Sequence, residues 1–213
     1  MGLKCSIGEV ANRIQASTLQ DKGVLANCHV NVLQTQDHPQ FKTYSEELKW
    51  LTTDATRMSW VANTIKDIAT SGNTLILVDR ISAGEMLEKK IKDSVFVSGS
   101  TKNMDRKEQY DEISTATNKV IIATYGVAAV GINIPRIFNL VLIEPGKSFV
   151  RVIQSIGRGI RKAEDKDSVQ IWDITSSCKF AKRHLTQRKK FYKEANYPYN
   201  IEKIDYENTD PGK

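Results

Sequence analysis

The stretch of this chain with the most chemistry in it is Gln154-Ser-Ile-Gly157-Arg158-Gly-Ile-Arg161, a Q-x-x-G-R-x-x-R pattern with two arginines three residues apart beside glycines. Just upstream, Phe149, Val152, Ile153 and Ile156 recur at helical spacing and predict one apolar face. If the helix runs through the motif at about 100° per residue, Arg151, Gln154, Arg158 and Arg161 line the opposite face. Guanidiniums held in a row on a packed helix grip phosphate oxygens bidentately. Aimed at a γ-phosphate from outside the nucleotide pocket, such an arginine is a finger, worth about 10³–10⁵ in rate. Arginines alone would read as a solvated basic face; what separates the two readings is the company they keep.

That company is a second block, Val120 to Pro135, which reads as a buried strand ending in Thr124, then a turn bounded by Gly126 and Gly131 and carrying Asn133. A third is Val95-Phe-Val-Ser98-Gly99, a short strand followed by small residues that let backbone N–H groups approach an anion. Two look-alikes are set aside. Gly146-Lys147-Ser148 imitates the end of a phosphate-binding P-loop, but the first glycine of that loop would fall at Val141. Ser148 is better read as the N-cap of the following helix. Asp111-Glu112 imitates an acidic magnesium box, yet it lies in a polar helical segment instead of ending an apolar strand.

These motifs need a frame, and the chain supplies one. Five apolar runs, Thr74–Val78, Val95–Val97, Val120–Ala123, Phe138–Ile143 and Val169–Ile174, are rich in Val and Ile without in-out alternation, which predicts strands buried on both faces. Between them lie helical patterns: Met58, Val61, Ile65 and Ile68; Met86, Leu87 and Ile91; the polar segment Lys102–Thr117; and the one starting at Phe149. Alternation of this kind predicts an α/β domain with a mainly parallel sheet. Ligands of such sheets bind at the carboxyl ends of the strands, where Ser98-Gly99, Thr124 and the Gly131 turn fall. Before this unit, Leu25–Thr35 reads as a strand and Phe41–Leu51 as a helix; after it, Asn196–Lys213 reads as a polar tail that frays beyond Tyr206.

Composition bounds the rest. The 213 residues suffice for one substantial core, and 40% hydrophobic with 26% charged residues is ordinary globular material. No apolar run approaches the ~18 residues of a transmembrane helix, and no signal pattern opens the chain, so a cytoplasmic protein is expected, in the host cytoplasm if phage-encoded. Cys5, Cys28 and Cys178, like His29, His38 and His184, are scattered without ligand spacing, which predicts packing or surface roles and no metal site. A net charge of +6 favours an anionic partner. The segment Cys178–Lys193 concentrates it, with seven Lys/Arg, Lys189 and Lys190 among them, and no acid. It reads either as a solvated helix face or as a track for a nucleic-acid backbone, with Phe191 and Tyr192 as packing or stacking groups.

Together the blocks resemble motifs V and VI of superfamily 2 helicases and translocases, in the second of their two RecA-like domains. Asn73–Asp79 resembles the first strand of that domain, and Ser98-Gly99 with Arg106 the G-x6-R signature after it. The resemblance covers about Ser17 to Tyr206, and motif VI is its most specific piece. It implies residues 1–36 as a bridge from a first RecA-like domain, 37–195 as the second, and 196–213 as the tail. It implies Arg158 and Arg161 as catalytic fingers, and Gln154, Gly131 and Asn133 toward ATP. Asn133 stands where many relatives carry an Asp facing the ribose, which weakens that contact. Thr124, Ser98 and Gly99 would meet a strand backbone, with Lys189 and Lys190 added by charge. Gln154-Ser155 replaces the His-Arg that opens motif VI in DEAD-box proteins, which points toward the DNA-directed branches, repair and recombination helicases among them.

The resulting expectation is the second motor domain of an ATP-dependent DNA helicase or branch-migration translocase, acting on branched or single-stranded DNA. ATP with Mg would be held mainly by a first domain, since neither a P-loop nor an acidic magnesium box is present here, and the chain by itself would be half a motor without ATPase activity. A restriction-type translocase or an RNA helicase domain fits the same motifs. A RecA-like binding module that does no chemistry, or a doubly wound domain for another anion, are the competing classes.

Overall fold

The computed structural model describes residues 28–99, 118–129, 137–146, 149–150, 152–153 and 169–207. Among them, seven strands form one sheet: β1 (Cys28–Thr35), β2 (Thr74–Val78), β3 (Ser94–Val97), β4 (Val120–Thr124), β5 (Asn139–Ile143), β6 (Val169–Ser176) and β7 (Tyr199–Ile204). Their order is β3-β4-β2-β5-β6-β1-β7, and each pairing is parallel. The mainly parallel sheet expected from the apolar runs is therefore present.

The runs lack alternation because both faces are covered. Leu75 and Leu77 of β2 point into one core with Val30, Leu140, Ile171 and helix α5 (Lys179–Glu194). Ile76 and Val78 point into the other, against α2 (Ala55–Ala69) and α3 (Ile81–Lys90). The apolar stripe of α2, Met58, Val61, Ile65 and Ile68, is buried throughout. Helix α3 comes so close to the sheet that a Cβ on Gly84 would overlap the ring of Phe96. Helix α1 (Tyr44–Thr53) lies across the start of α5, where Leu51 packs on Cys178 and Ala181. Both junction caps are side chains: Thr43 Oγ1 accepts from Glu46 N at 3.3 Å, and Asp54 Oδ2 from Arg57 N at 3.0 Å.

The two ends of the described chain revise the reading of a bridge up to residue 36 and a polar tail from 196. Strand β1 lies inside this sheet between β6 and β7, and the polar stretch after Asn196 supplies β7 itself. The physical reason is that β7 is an edge strand. Only one side of it pairs, so Asn200, Glu202 and Lys203 stay in solvent and the sequence looks like a tail. Tyr206 closes the end, buried with its hydroxyl donating to Asp37 at 2.6 Å. The expected helix Lys102–Thr117 lies outside the described residues.

Candidate nucleic-acid interface

Parallel strands bring their carboxyl ends to one edge, and the edge of β3 and β4 collects three of the motif residues. Val97 is in register with Ala123, so Ser98 and Thr124, each one residue further on, end neighbouring strands about 4.8 Å apart. Ser98 is buried, while Gly99 is exposed and a Cβ there would meet nothing within 4 Å. Thr124 Oγ1 accepts the backbone N–H of Val127 at 3.3 Å, capping the short helix α4 (Tyr125–Ala129). That bond uses a lone pair only. A hydroxyl has one proton and two lone pairs, so the Thr124 proton is left to donate to an oxyanion. The structure thus brings Ser98, Gly99 and Thr124, all small and neutral, to adjacent strand ends.

The helical segment beginning at Phe149 starts from the same edge, after β5. Phe149, Val152 and Ile153 are buried as the periodicity predicts, with Phe149 edge-on to Phe191 and Tyr192 at 5.4 and 5.5 Å. The motif residues Gln154, Arg158 and Arg161, together with Gly131, Asn133, Arg106 and Ser148, lie outside the described residues.

Helix α5 divides the basic segment in two. Arg188 is not part of a surface track: it is 3% exposed and grips Asp173 with Nε–Oδ2 at 2.8 Å and Nη2–Oδ1 at 2.9 Å, while Nη1 donates to Pro145 O at 2.7 Å. The Tyr192 hydroxyl donates to the same carboxylate at 2.7 Å. Phe191 and Tyr192 are buried, so packing is their role. Burial works against the Arg188 charge, but Asp173 holds it well above the ordinary arginine range. Burial, then Asp173, push the Tyr192 phenol up. What remains on the surface is Lys179, Lys182, Arg183, Lys190 and Lys193, with Lys189 half-buried. This face lies toward β1 and β7, away from Thr124, so the structure does not join Lys189 and Lys190 to the Ser98–Thr124 site.

Sequence reasoning missed a second buried network at the carboxyl ends of β1, β5 and β6. Arg57, fully buried, pairs with Glu144 and lies 3.6 Å from Asp37, with Nη1 donating to Leu51 O at 2.6 Å. Thr35 and Ser176 hydroxyls also donate to Asp37 Oδ2. Glu144 adopts φ +46°, a backbone region unusual for a side chain with a Cβ. Burial pushes its carboxyl up to about 7, although Arg57 and Arg188 pull it the other way. The signals were there: Arg57 lies four residues before Val61 on the apolar stripe, and Asp173 interrupts an apolar strand.

A model of the "helicase conserved C-terminal domain" family matches residues 56–163, just over half of the chain and every motif from α2 through Arg161. The chain belongs to that family. Over 201 residues, 89% of the chain, it is 27% identical to the ATP-dependent DNA helicase UvsW of Enterobacteria phage T4, and spans 40% of that helicase. The crystal structure of T4 UvsW superposes with a TM-score of 0.74 at 21% identity, over 85% of this chain and 42% of that one. The E. coli DEAD-box protein SrmB gives 0.56 at 17% identity, over 84% and 92%. These likenesses make the chain a superfamily 2 helicase C-terminal domain related to UvsW, with the RecA-like fold.

Proposed function

We propose that the chain is the second motor half of an ATP-driven DNA helicase or branch-migration translocase. The observation that carries this reading is the meeting of Ser98, Gly99 and Thr124 at the carboxyl ends of β3 and β4, the same end of the sheet at which the segment leading into Q-x-x-G-R-x-x-R follows β5. In this reading the three small residues hold a strand backbone by oriented hydrogen bonds. Arg158 and Arg161 serve the nucleotide as fingers, with Gln154, Gly131 and Asn133 as further contacts to it. Lys189 and Lys190 lie on the β1–β7 side, away from the strand contact, and add only to the positive charge of the domain as a whole. ATP supplies the driving force by losing its γ-phosphate, and a RecA-like partner domain with a P-loop and acidic magnesium ligands holds it and its Mg. The residues of this chain orient, grip and release; they do not cradle the phosphates alone. Kinship to a DNA helicase and the Gln154-Ser155 departure favour DNA over RNA.

The test is ATP turnover stimulated by branched DNA in a complete motor, in which this chain works with a P-loop domain. Arg158→Ala and Arg161→Ala are each expected to lower kcat at least about 100-fold, within the range of arginine fingers. The purified chain alone should turn over no ATP. Wild-type turnover in both variants, or persistent ATPase in the chain alone, would overturn the reading.

A further inference from the structure

The exposed cations of α5 border two clefts, of about 750 and 470 Å³, that run into one another at the carboxyl ends of β6, β1 and β7. Ser177, Lys182 and Thr186 line both. Lys179 and Arg183 border the first cleft; Lys189 and, from the edge strand, Lys203 border the second. None of these five cations makes an ion pair with a described residue. The single acid in the lining, Asp37, already faces the buried Arg57 cation at 3.6 Å and accepts from Thr35, Ser176 and Tyr206, so its charge is spent inside the fold. Nor is the start of α5 available to an anion: the Glu47 carboxylate of α1 accepts from Phe180 N at 3.0 Å and Ala181 N at 2.7 Å. The cleft's pull on an anion therefore comes from side chains along its length.

We infer that this double cleft is a second nucleic-acid site, which takes the phosphate backbone of a further strand of a branched substrate. Its place separates it from the Ser98–Thr124 contact. β4 and β1 are four positions apart in the sheet order, roughly 19 Å at ~4.8 Å per strand. Its length suits a polymer. Lys179, Lys182 and Lys189 lie along one helix over ten residues, about 15 Å at 1.5 Å per residue, the rise of about four nucleotides. Its chemistry suits phosphate, since hydroxyls and amides (Ser177, Thr186, Gln34, Gln36) accompany the cations. The proposed motor function enters only in naming the anion as nucleic acid.

The experiment is fluorescence anisotropy with the 213-residue chain, on a labelled four-way DNA junction and a labelled single strand, across a salt series. Lys182→Glu/Lys189→Glu/Lys203→Glu should weaken junction binding at least about tenfold at low salt. It should also flatten the plot of log K against log salt by about 2–3, since each lost phosphate contact removes about 0.7–0.9. Lys66→Glu/Lys89→Glu/Lys92→Glu reverses the same charge on and just after the helices of the opposite face and should leave most of the binding. Should the first triple variant fail to fold by circular dichroism, Lys182→Glu alone should flatten the slope by about 1. An equal loss in both triple variants would reduce the effect to bulk charge. Labelled polyglutamate bound as tightly as the junction would mark a surface for acidic protein. Either result overturns the site. Undiminished junction binding in the cleft variant, with binding lost in Thr124→Val, would remove the cleft and leave the motor reading standing. No DNA binding by the unmodified chain would count against both.

Discussion

The two halves of the sheet's carboxyl edge use charge in opposite ways. At β5, β6 and β1, charged groups are buried and locked to one another: Arg57 with Glu144 and Asp37, Arg188 with Asp173 and Tyr192. At β3 and β4, the motif positions are a serine, a glycine and a threonine. These buried pairs cannot offer their charges to a ligand without breaking the fold. The second half carries no charge at these positions, so any contact made there is through oriented neutral groups. An arginine is therefore not a phosphate ligand by virtue of being in a helicase domain; its neighbours decide. Buried beside Asp173, Arg188 holds β6 to α5, a role the basic segment's composition conceals.

The largest effect should come from breaking the locked half. Arg188→Ala leaves Asp173 buried without its cation and is expected to destabilise the chain by about 3–5 kcal/mol in urea unfolding. A loss below about 1 kcal/mol would mean the pair contributes little and the contrast between the halves is false. In the open half, Thr124→Val removes a helix cap worth about 1 kcal/mol and the hydroxyl proton proposed for phosphate. DNA binding should fall while the salt slope stays within about 0.3 of wild type, because no charge is lost. A slope change as large as that of a lysine variant would argue against an oriented neutral contact.

Glu144 offers a pH test of the locked half. Its folded pKa, about 7, is raised above the unfolded carboxylate value of about 4.5, so the folded state binds more protons between those values. Its contribution to stability is fully present below about pH 4.5 and is lost as pH rises through about 7. The melting temperature should drift down across that window, and Glu144→Gln should flatten the drift without moving DNA affinity. An unchanged drift would place the titration elsewhere. Smallest of all, Lys190→Glu alters a side chain that is exposed and borders neither cleft, and should change DNA affinity less than about twofold. A larger effect would extend the basic track beyond the cleft.

The sheet was legible because burial on both faces leaves uninterrupted runs such as Thr74–Val78, which no surface element imitates. The apolar face of the helix at Phe149 was legible from spacing alone. What escaped was anything defined by a distant partner. Arg188 and Lys189 are adjacent in sequence and equally basic, yet one is buried beside Asp173, fifteen positions away, and the other borders a cleft. Tyr199–Ile204 looked like a tail because an edge strand needs apolar residues on less of its surface. Its membership in the sheet depends on β1, about 170 residues earlier, which local periodicity cannot register.

That placement of β1 also sets a timetable. Cys28–Thr35 pairs with Val169–Ser176 on one side and with Tyr199–Ile204 on the other, so during synthesis it waits without either neighbour while some 130 intervening residues are made. At about 5–20 residues per second that wait lasts roughly 7–26 seconds. An apolar strand, with Val30 and Val32 destined for full burial, spends this interval with its pairing groups open to any other chain. The β2–β4–β5 centre can assemble before β1 finds its slot, and the last strands to emerge decide whether the sheet closes correctly. Production of this domain is thus most exposed to misassembly at its earliest described strand, and chaperone protection of that strand should raise the yield of folded protein more than any change to the motif residues.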